Sequence, residues 1–598
     1  MRTNSHGETR RKRLKLMKTE TSMARTGCPK RRPARLRTAW TGRLLLLALL
    51  VLALAGTAKA QFSYAYNNGA LTLTGYTGPG GAVSIPDVDG LVTSIGMGAF
   101  MNCASLTSIG IPGSVTNIGA DAFAYCSGLT SVGIPGNVTS IGEEAFAYCG
   151  SLTGVGIPGS VANIGERAFA GCAKLASVGI PNGVSSIGAS AFAGTSLARV
   201  AIPKSVTSIG ENAFGSCSRL TAITVDALNS AYSSSVDGVL FNKNQTTLAQ
   251  YPGGKAGGYA VPNSVTSIQD DAFADCASLT SLTIPNSVTN IGDGAFGSCA
   301  GLTNLTIGNG VSTIGLEAFA GCSSLTNVTL PNNLTRIGDG AFDSCASLST
   351  ITVGALNSAY SSSVDGVLFN KSQTTLVQYP GGKAGGYAIP NGVTNVQDSA
   401  FAGCFRLTSL TIPSSVTSIG DYAFDGCTGL TNVAIPGSVA SIGNSAFAGC
   451  TSLAGVAIPN GLTSIGNDAF GSCNNLVSVD FQGNAPGAGS DAFDGDNLAV
   501  LYYLPGATGW GPLFAERPTV LWNPQVQTSG ASFGVRTNQF GFTITAASGL
   551  SVVVEASTNL ANPTWLPLAT NTLTGGSSYF SDPQWTNYPA RFYRLRLP

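Results

Sequence analysis

The sequence has little charge and almost no histidine. Only 10% of its 598 residues are Asp, Glu, Lys or Arg, whereas about 25% is typical of globular proteins. The single histidine, His6, lies near the N-terminus, which excludes Ser-His-Asp catalysis and histidine-ligated metal sites from the rest of the chain. We therefore predict no catalytic residue, no metal and no cofactor. A hydrophobic content of 43% argues against an intrinsically disordered chain.

Charge is distributed unevenly along the chain. Residues 1–60 contain 15 Lys or Arg and 2 Asp or Glu, and residues 61–598 contain 16 and 28, a net charge of −12 for that part. An acidic body repels phosphate backbones. Nucleic acid is therefore not a predicted partner.

The sequence lacks a second long apolar run besides Leu44–Ala55, which is unbroken by any polar residue. At about 1.5 Å per residue this run would span about 18 Å as a helix, short of the ~30 Å hydrocarbon core of a bilayer. A basic segment precedes it, and Ala58-Lys59-Ala60 follows it. This pattern predicts a secretory signal over residues 1–60 with cleavage between Ala60 and Gln61, leaving no stable membrane span. An uncleaved membrane anchor is the alternative.

The rest of the chain is dominated by one repeat, which is marked by an Ala-Phe pair. The repeated Phe residues are at positions 100, 123, 146, 169, 192, 214, 273, 296, 319, 342, 401, 424, 447, 470 and 493. Successive positions in this series differ by 23, apart from one difference of 22 and two of 59. A fixed period in this range indicates a solenoid, in which stacked coils share a continuous core.

One repeat, residues 129–149, illustrates the local structure that we expect. Leu129–Ile134 is short, apolar and partly β-branched, which favours a strand. Pro135 ends that strand because it has no N–H to donate. A second extended piece ends at Gly142, and Glu143–Cys149 fits one helical or 3₁₀ turn. Each coil is thus predicted to place its Phe on the Phe of the next coil.

The pattern L-x-x-V-x-I-P-x-x-V-x-x-I-G-x-x-A-F-x-x-C resembles the BspA-type leucine-rich repeats of bacterial surface proteins. The resemblance implies a curved leucine-rich-repeat solenoid of short parallel strands and short helical or 3₁₀ turns, together with export and a role in adhesion or protein binding. The predicted domains are an N-terminal cap at 61–82, repeats at 83–495 with insertions at about 226–258 and 354–386, a C-terminal cap at 496–524, and a small all-β sandwich at 525–598 that is similar to immunoglobulin or fibronectin modules.

Thirteen of the fourteen cysteines lie beyond residue 60, nearly all of them three residues after a repeat Phe. In an exported chain many cysteines suggest disulfides. Here their number is odd and their spacing is that of the repeat itself. We therefore predict buried thiols that act as small apolar side chains. Bonds between neighbouring coils are the alternative.

Two places are candidate binding sites. The side chains that flank the central apolar residue of each repeat strand are nearly all small and polar, apart from Arg199 and Asp480. Lys174 and Arg219 lie in coils adjacent to Arg199, and these three residues form a predicted basic site. The second place is the two insertions, which share 17 identical residues at an offset of 128 and carry the remaining candidates: Tyr232, Asp237, Tyr360 and Asp365.

These features together predict an exported, non-enzymatic adhesion or binding protein, secreted or on the cell surface, that recognises an extracellular protein or a glycan. Two alternatives stay open. One is a passive structural protein of a surface coat. The other is a polysaccharide-cleaving β-solenoid, which would need carboxylates clustered on its strand faces.

Overall fold

The computed structural model describes residues 61–530, 532–546 and 550–596. The predicted signal segment, with Leu44–Ala55 and Ala60, lies outside these residues. The chain divides into a first unit, which runs to Ala256 and includes Ser264–Ser278, and a second unit of Gly257–Asn263 and the residues from Leu279 onward. Within the parts of the chain that the structure describes, no helix has the length and apolar character needed to cross a membrane.

Each repeat is one coil with two strands and a turn. In the coil that begins at Leu129, the sheet strand Ser131–Gly133 is followed by the corner strand Ser140–Ile141. The sheet strand directs Val132 into the core and exposes its two neighbours, because successive side chains of a strand point to opposite faces. Both strands pair in parallel with the next coil, Val132 with Val155 and Ile141 with Ile164. The predicted parallel-strand solenoid is thereby confirmed.

The first unit begins with an antiparallel hairpin and continues with two series of strands. The hairpin strands are Phe62–Asn67 and Ala70–Tyr76. The sheet strands are Gly81–Ser84, Leu106–Gly110, Ser131–Gly133, Gly154–Gly156, Ser177–Gly179, Arg199–Ile202 and Ala222–Val225. The corner strands are Val92–Ile95, Asn117–Ile118, Ser140–Ile141, Asn163–Ile164, Ser186–Ile187, Ser208–Ile209 and Ser267–Ile268. The first insertion adds Tyr232–Ser234, Leu240–Asn242 and Thr247–Gln250.

The second unit repeats this arrangement. Its sheet strands are Gly257–Ala260, Leu279–Ile284, Asn304–Ile307, Asn327–Leu330, Thr350–Val353, Gly385–Ala388, Leu407–Thr411, Asn432–Ala434, Gly455–Ile458 and Ser478–Phe481. Its corner strands are Asn290–Ile291, Thr313–Ile314, Arg336–Ile337, Asn395–Val396, Ser418–Ile419, Ser441–Ile442, Ser464–Ile465 and Gly487–Ala488. The second insertion adds Tyr360–Ser362, Leu368–Asn370 and Thr375–Gln378.

The third side of each coil is a turn, not a continuous helix. Single hydrogen bonds of the 3₁₀ type occur, such as that from Ala147 N to Glu144 O at 3.0 Å. Left-handed residues interrupt them, Glu144 with φ 51° and Tyr148 with φ 58°. This backbone turns the intervening amides towards the next coil, where Phe146 N donates to Ala168 O at 2.8 Å. The turns therefore form a third inter-coil row of hydrogen bonds.

The core is a stack of phenylalanine rings. Phe146 is fully buried, and its ring lies 5.0 Å from that of Phe123 and 5.3 Å from that of Phe169, nearly parallel to both. These separations match the distance between neighbouring strands. The period of the repeat thus places one ring on the next, as the sequence predicts.

The repeat cysteines lie beside this stack. Twelve of them are buried and form no disulfide bond. Cys149 Sγ donates to Phe123 O at 3.2 Å, and burial raises the pKa of this thiol well above its usual range. Cys103 forms a disulfide bond, so the expectation of a reduced thiol does not hold there.

After the last repeat Phe, the sheet continues before the chain forms a sandwich. Val500–Tyr503 pairs in parallel with Ser478–Phe481, and Arg517–Leu521 then pairs with Val500–Tyr503 and with the short strand Leu513–Phe514. One sandwich sheet contains Gln525–Gln527, Gly534–Arg536, Gln539–Thr545 and Ser577–Asp582, and the other contains Ser551–Ser557, Leu566–Thr572 and Phe592–Arg596. Two 3₁₀ turns occur, at Thr574–Gly576 and Trp585–Asn587.

Candidate functional site

The sheet face is the surface formed by the side chains that flank the central apolar residue of each sheet strand. In the second unit it carries exposed amides and hydroxyls, among them Asn304, Thr306, Asn327, Thr329 and Thr352. The hydroxyls of Thr329 and Thr352, in adjacent coils, lie 2.9 Å apart. The face is therefore a regular polar array on a fixed backbone.

The predicted basic site lies on three neighbouring coils of the first unit. Lys174, Arg199 and Arg219 are all exposed, and Arg199 pairs in register with Ala222 of the next sheet strand. Lys174 and Arg219 occupy equivalent positions, each directly before a buried leucine. Among the described ion pairs, none involves these three cations. Their role in binding stays a prediction.

The first insertion is an antiparallel hairpin built into the stack. Tyr232–Ser234 pairs with Leu240–Asn242. Tyr232 is half-buried, and its hydroxyl accepts a hydrogen bond from Ile209 N at 2.8 Å, so it satisfies an amide of the preceding corner strand. Tyr232 thus stabilises the insertion, and its predicted role in binding stays a prediction.

Asp237 lies in the turn of the same hairpin, before Gly238 with φ 83°. Burial favours a higher pKa for this carboxyl, but the Ser235 hydroxyl at 2.6 Å and the Lys255 ammonium at 3.2 Å outweigh it and lower the pKa. Lys255 also donates to Asp237 O at 2.7 Å. The pair therefore fixes the hairpin turn to the returning chain.

The second insertion repeats these contacts. The Tyr360 hydroxyl accepts from Ile337 N at 3.0 Å, and burial raises the pKa of Tyr360. Asp365 accepts from the Ser363 hydroxyl at 2.5 Å and lies 3.8 Å from the Lys383 ammonium. On the turn side of the solenoid the insertion is bypassed, because Ser344 N donates directly to Ala402 O at 3.3 Å.

The insertions expose large apolar side chains, which sequence reasoning missed. Val236 is fully exposed at the hairpin tip, and Leu228 is 76% exposed. Val364 and Leu356 are their equivalents, with exposures of 109% and 83%. In the sequence, Tyr232 and Tyr360 are surrounded by serines, so they were the expected contact residues. Each valine directly precedes an Asp-Gly pair, which is a tight-turn signal, and this signal could have placed the valines at the hairpin tips.

At the end of the second unit, the sandwich packs on the sheet face. Tyr502 and Val520 occupy the same outward column as Asp480, and both pack against the sandwich core. Asp480 is consequently half-buried, Oδ1 has no hydrogen-bond partner, and burial raises its pKa to about 7. The acidic residue that the sequence places on this face is thus partly covered.

The sandwich contains a cleft of about 700 Å³. Its aromatic lining consists of Trp522, Phe533, Phe540, Phe542, Trp565, Phe592 and Tyr593. Arg591 and Arg594 also line it, and the Arg594 guanidinium lies 4.5 Å from the centre of the Trp565 ring. The residues that form the cleft are scattered over more than seventy positions, so no local sequence pattern indicates it.

Carboxylates behind the cleft are neutralised by arginines. The Glu555 carboxylate lies 2.7 Å from Arg594 Nη2 and 2.6 Å from Arg596 Nε. Hydrogen bonds from Arg596 and then Arg594 lower the pKa of Glu555 against the effect of burial. Asp582 pairs with Arg591 at 3.0 Å and accepts from the Tyr593 hydroxyl at 2.9 Å. Across the described residues, no three His, Cys, Asp or Glu side chains are grouped as a metal site requires.

Comparison with protein families identifies the repeats. The model of the BspA type leucine-rich repeat region matches in six copies over residues 93–221, 258–372 and 386–499, which together make up more than half of the chain. The chain belongs to the BspA-type leucine-rich repeat family. This BspA-type protein therefore has the repeat identity that the sequence pattern indicates.

Solved structures of leucine-rich repeat proteins resemble the BspA-type chain. A leucine rich cell surface protein from Faecalibacterium prausnitzii is 30% identical, with 59% of this chain and 93% of that chain covered and a TM-score of 0.44. A leucine-rich repeat protein from Bacteroides ovatus is 24% identical, with coverages of 75% and 94% and a TM-score of 0.31. The pneumococcal vaccine antigen PcpA is 18% identical, with coverages of 78% and 98% and a TM-score of 0.45. No curated protein gives a match.

Proposed function

We propose that this BspA-type protein is exported to the cell surface and binds an extracellular protein or glycan through its repeats, without catalysing a reaction. The observation that supports this most is the sheet face of the second unit. Asn304–Ile307, Asn327–Leu330 and Thr350–Val353 present amides and hydroxyls side by side. Neighbouring strands are about 4.8 Å apart, so these groups recur at a fixed interval on a rigid surface.

An array of this kind suits an extended partner that can make many hydrogen bonds at once. Each bond contributes only about 0.5–1.5 kcal/mol, so affinity depends on the number of coils engaged. Family membership supports a scaffold role, and the predicted signal supports export. Among the described sheet strands of the second unit, Asp480 is the one carboxylate on this face, whereas glycoside cleavage commonly uses two, which argues against a polysaccharide-cleaving groove here.

Binding of the exported protein to arrays of glycans and of extracellular proteins tests the proposal. We expect Asn327→Ala with Thr329→Val to weaken binding about tenfold, because both side chains lie on the sheet face. Thr335→Val is the matched control, since Thr335 lies in the same coil but its hydroxyl donates to Ser312 O. Absence of any ligand would favour a passive coat protein, and turnover of a polysaccharide would refute the non-enzymatic role.

A second candidate surface is the pair of insertion tips. Val236 and Val364 are both fully exposed in segments of identical sequence, and two equal sites on one chain raise avidity for a repetitive partner. Deleting an insertion would remove buried residues such as Phe241. The double variant Val236→Ser, Val364→Ser leaves the core intact instead. Loss of binding in this variant, with no effect of the sheet-face substitutions, would assign recognition to the insertions.

A further inference from the structure

The C-terminal sandwich has an open sheet edge. Phe592–Arg596 pairs with Ser551–Ser557 on one side, and among the described strands none pairs with its other side. In an antiparallel sheet, alternate residues direct their N–H and C=O groups towards that side. A row of unpaired backbone groups is a template for one more strand.

The cleft runs along this edge. Residues 591–595 form one wall, and Phe540 and Phe542 contribute from the opposite sheet. Three apolar side chains of the lining are substantially exposed, Phe533 at 41%, Leu560 at 54% and Phe592 at 36%. Single exposed apolar residues are common, but several around one concavity mark an interaction site.

The charge of the sandwich restricts what can occupy this cleft. Residues 525–598 contain four arginines and two acidic residues. Both acidic residues are buried, Glu555 at 5% exposure and Asp582 at 3%, and both are paired with arginines of the cleft region. Arg591 is itself only 9% exposed, but the Arg594 and Arg596 side chains are 47% and 43% exposed and share the one carboxylate of Glu555. The exposed charge beside the cleft is therefore positive, which attracts acidic ligands and disfavours the basic segment of residues 1–60 as an occupant.

We propose that the C-terminal sandwich binds an acidic polypeptide segment in an extended conformation. The segment adds as a strand along Phe592–Arg596, and one of its apolar side chains enters the cleft. Strand addition supplies affinity through main-chain hydrogen bonds, and the pocket for alternate side chains supplies specificity. The remaining alternate side chains, when acidic, meet the positive charge of the exposed Arg594 and Arg596.

The same cleft suits a glycan less well. Aromatic rings can stack on sugars, but the lining also includes the aliphatic residues Val526, Leu560 and Leu595, which offer no partner to sugar hydroxyls. A glycan would also leave the strand edge unused. The site lies outside the repeats, so its failure would leave the sheet-face proposal standing.

Calorimetric titration of the full-length protein with a capped nine-residue peptide tests the proposal. The probe has Glu and Val in alternation around a central Phe. We expect at least about tenfold weaker binding when Lys replaces each Glu, because the sign of the charge is reversed. We also expect N-methylation of one alternate set of peptide amides to abolish binding and methylation of the other set to be tolerated, since only one set faces the protein.

Variants of the protein locate the binding site. Phe533→Ala and Leu560→Ala should each weaken binding about fivefold to tenfold, and circular dichroism should remain unchanged because both side chains are exposed. Leu566→Ala is the matched control, a leucine of the same domain with 62% exposure that lies outside the cleft lining. Equal binding of acidic and basic peptides, tolerance of both methylation patterns, indifference to the cleft variants, or binding of an oligoglucuronate alone would each overturn the proposal.

Discussion

The phenylalanine stack makes a quantitative prediction about local stability. Phe447 is fully buried, and its ring centre lies 4.9 Å from that of Phe424 and 5.3 Å from that of Phe470. Phe447→Ala removes the ring and both stacking contacts. Replacing a buried Phe by Ala lowers the free energy of unfolding by about 3–5 kcal/mol. Each stacked pair of rings contributes about 0.5–1.5 kcal/mol to that stability beyond the burial of its surface.

Native-state hydrogen exchange is the appropriate assay because it reports opening coil by coil. The amides to follow are those of the turn row, such as Phe447 N, which donates to Ala469 O at 2.7 Å. A change of about 1.4 kcal/mol is a factor of ten in an equilibrium constant. Exchange of these amides should therefore accelerate about a hundredfold to a few thousandfold.

The effect should be confined to neighbouring coils, since each coil contacts only the coils next to it. Amides of Asn304–Ile307, several coils away in the same unit, should keep the exchange rates of the unmodified protein. Asn432→Ala serves as the control, because Asn432 is exposed and such changes stay within about 0.5 kcal/mol. Equal acceleration at Asn304–Ile307, or less than tenfold acceleration near Phe447, would refute the reasoning.

Three further predictions concern the buried thiols, the Asp496 carboxyl and the Tyr232 hydroxyl. A thiol reagent should modify none of the twelve buried cysteine thiols in the native protein, since burial shields them and raises the pKa of thiols such as Cys149; fewer than twelve labels after denaturation without reductant would indicate disulfides. Burial raises the pKa of Asp496 to about 7, whereas the pKa of an unperturbed Asp is about 3.9. The folded state therefore binds the proton of this carboxyl more tightly than the unfolded state does. The free energy of unfolding should fall as pH rises from about 4 to about 7, and urea unfolding of Asp496→Asn should lack this fall; an unchanged pH dependence would contradict it. Tyr232→Phe should lower the free energy of unfolding by about 1–3 kcal/mol because Ile209 N loses its acceptor, whereas an unchanged denaturation midpoint would show that water replaces the hydroxyl.

The coil could be predicted from the sequence because its determinants are local. Pro135 and Gly142 mark where the extended pieces end, and the alternation around Val132 identifies its buried face. Because the repeat has a constant period, successive coils stack with equivalent residues in contact. The left-handed residues of the turn row, Glu144 and Tyr148, carried no such mark, because neither residue type favours positive φ.

The candidate sites could be predicted only in part, because they depend on contacts between distant residues. Tyr232 becomes a structural residue through Ile209, 23 positions earlier. Asp480 is covered by a domain that begins some forty residues later. The cleft combines Trp522 with residues near the end of the chain. Local patterns do not encode such pairings, so the exposure of these side chains could not be inferred.

The three rows of inter-coil hydrogen bonds have a mechanical consequence. Because these bonds point along the stack, tension between the ends of one unit loads all three rows at a coil boundary in parallel, and no row must fail before the others bear force. The boundary at the second insertion differs, since its turn row passes directly from Ser344 to Ala402 through a bond of 3.3 Å while a hairpin occupies the other sides. Force is shared unevenly there, and under load we expect the second unit to yield first at this boundary.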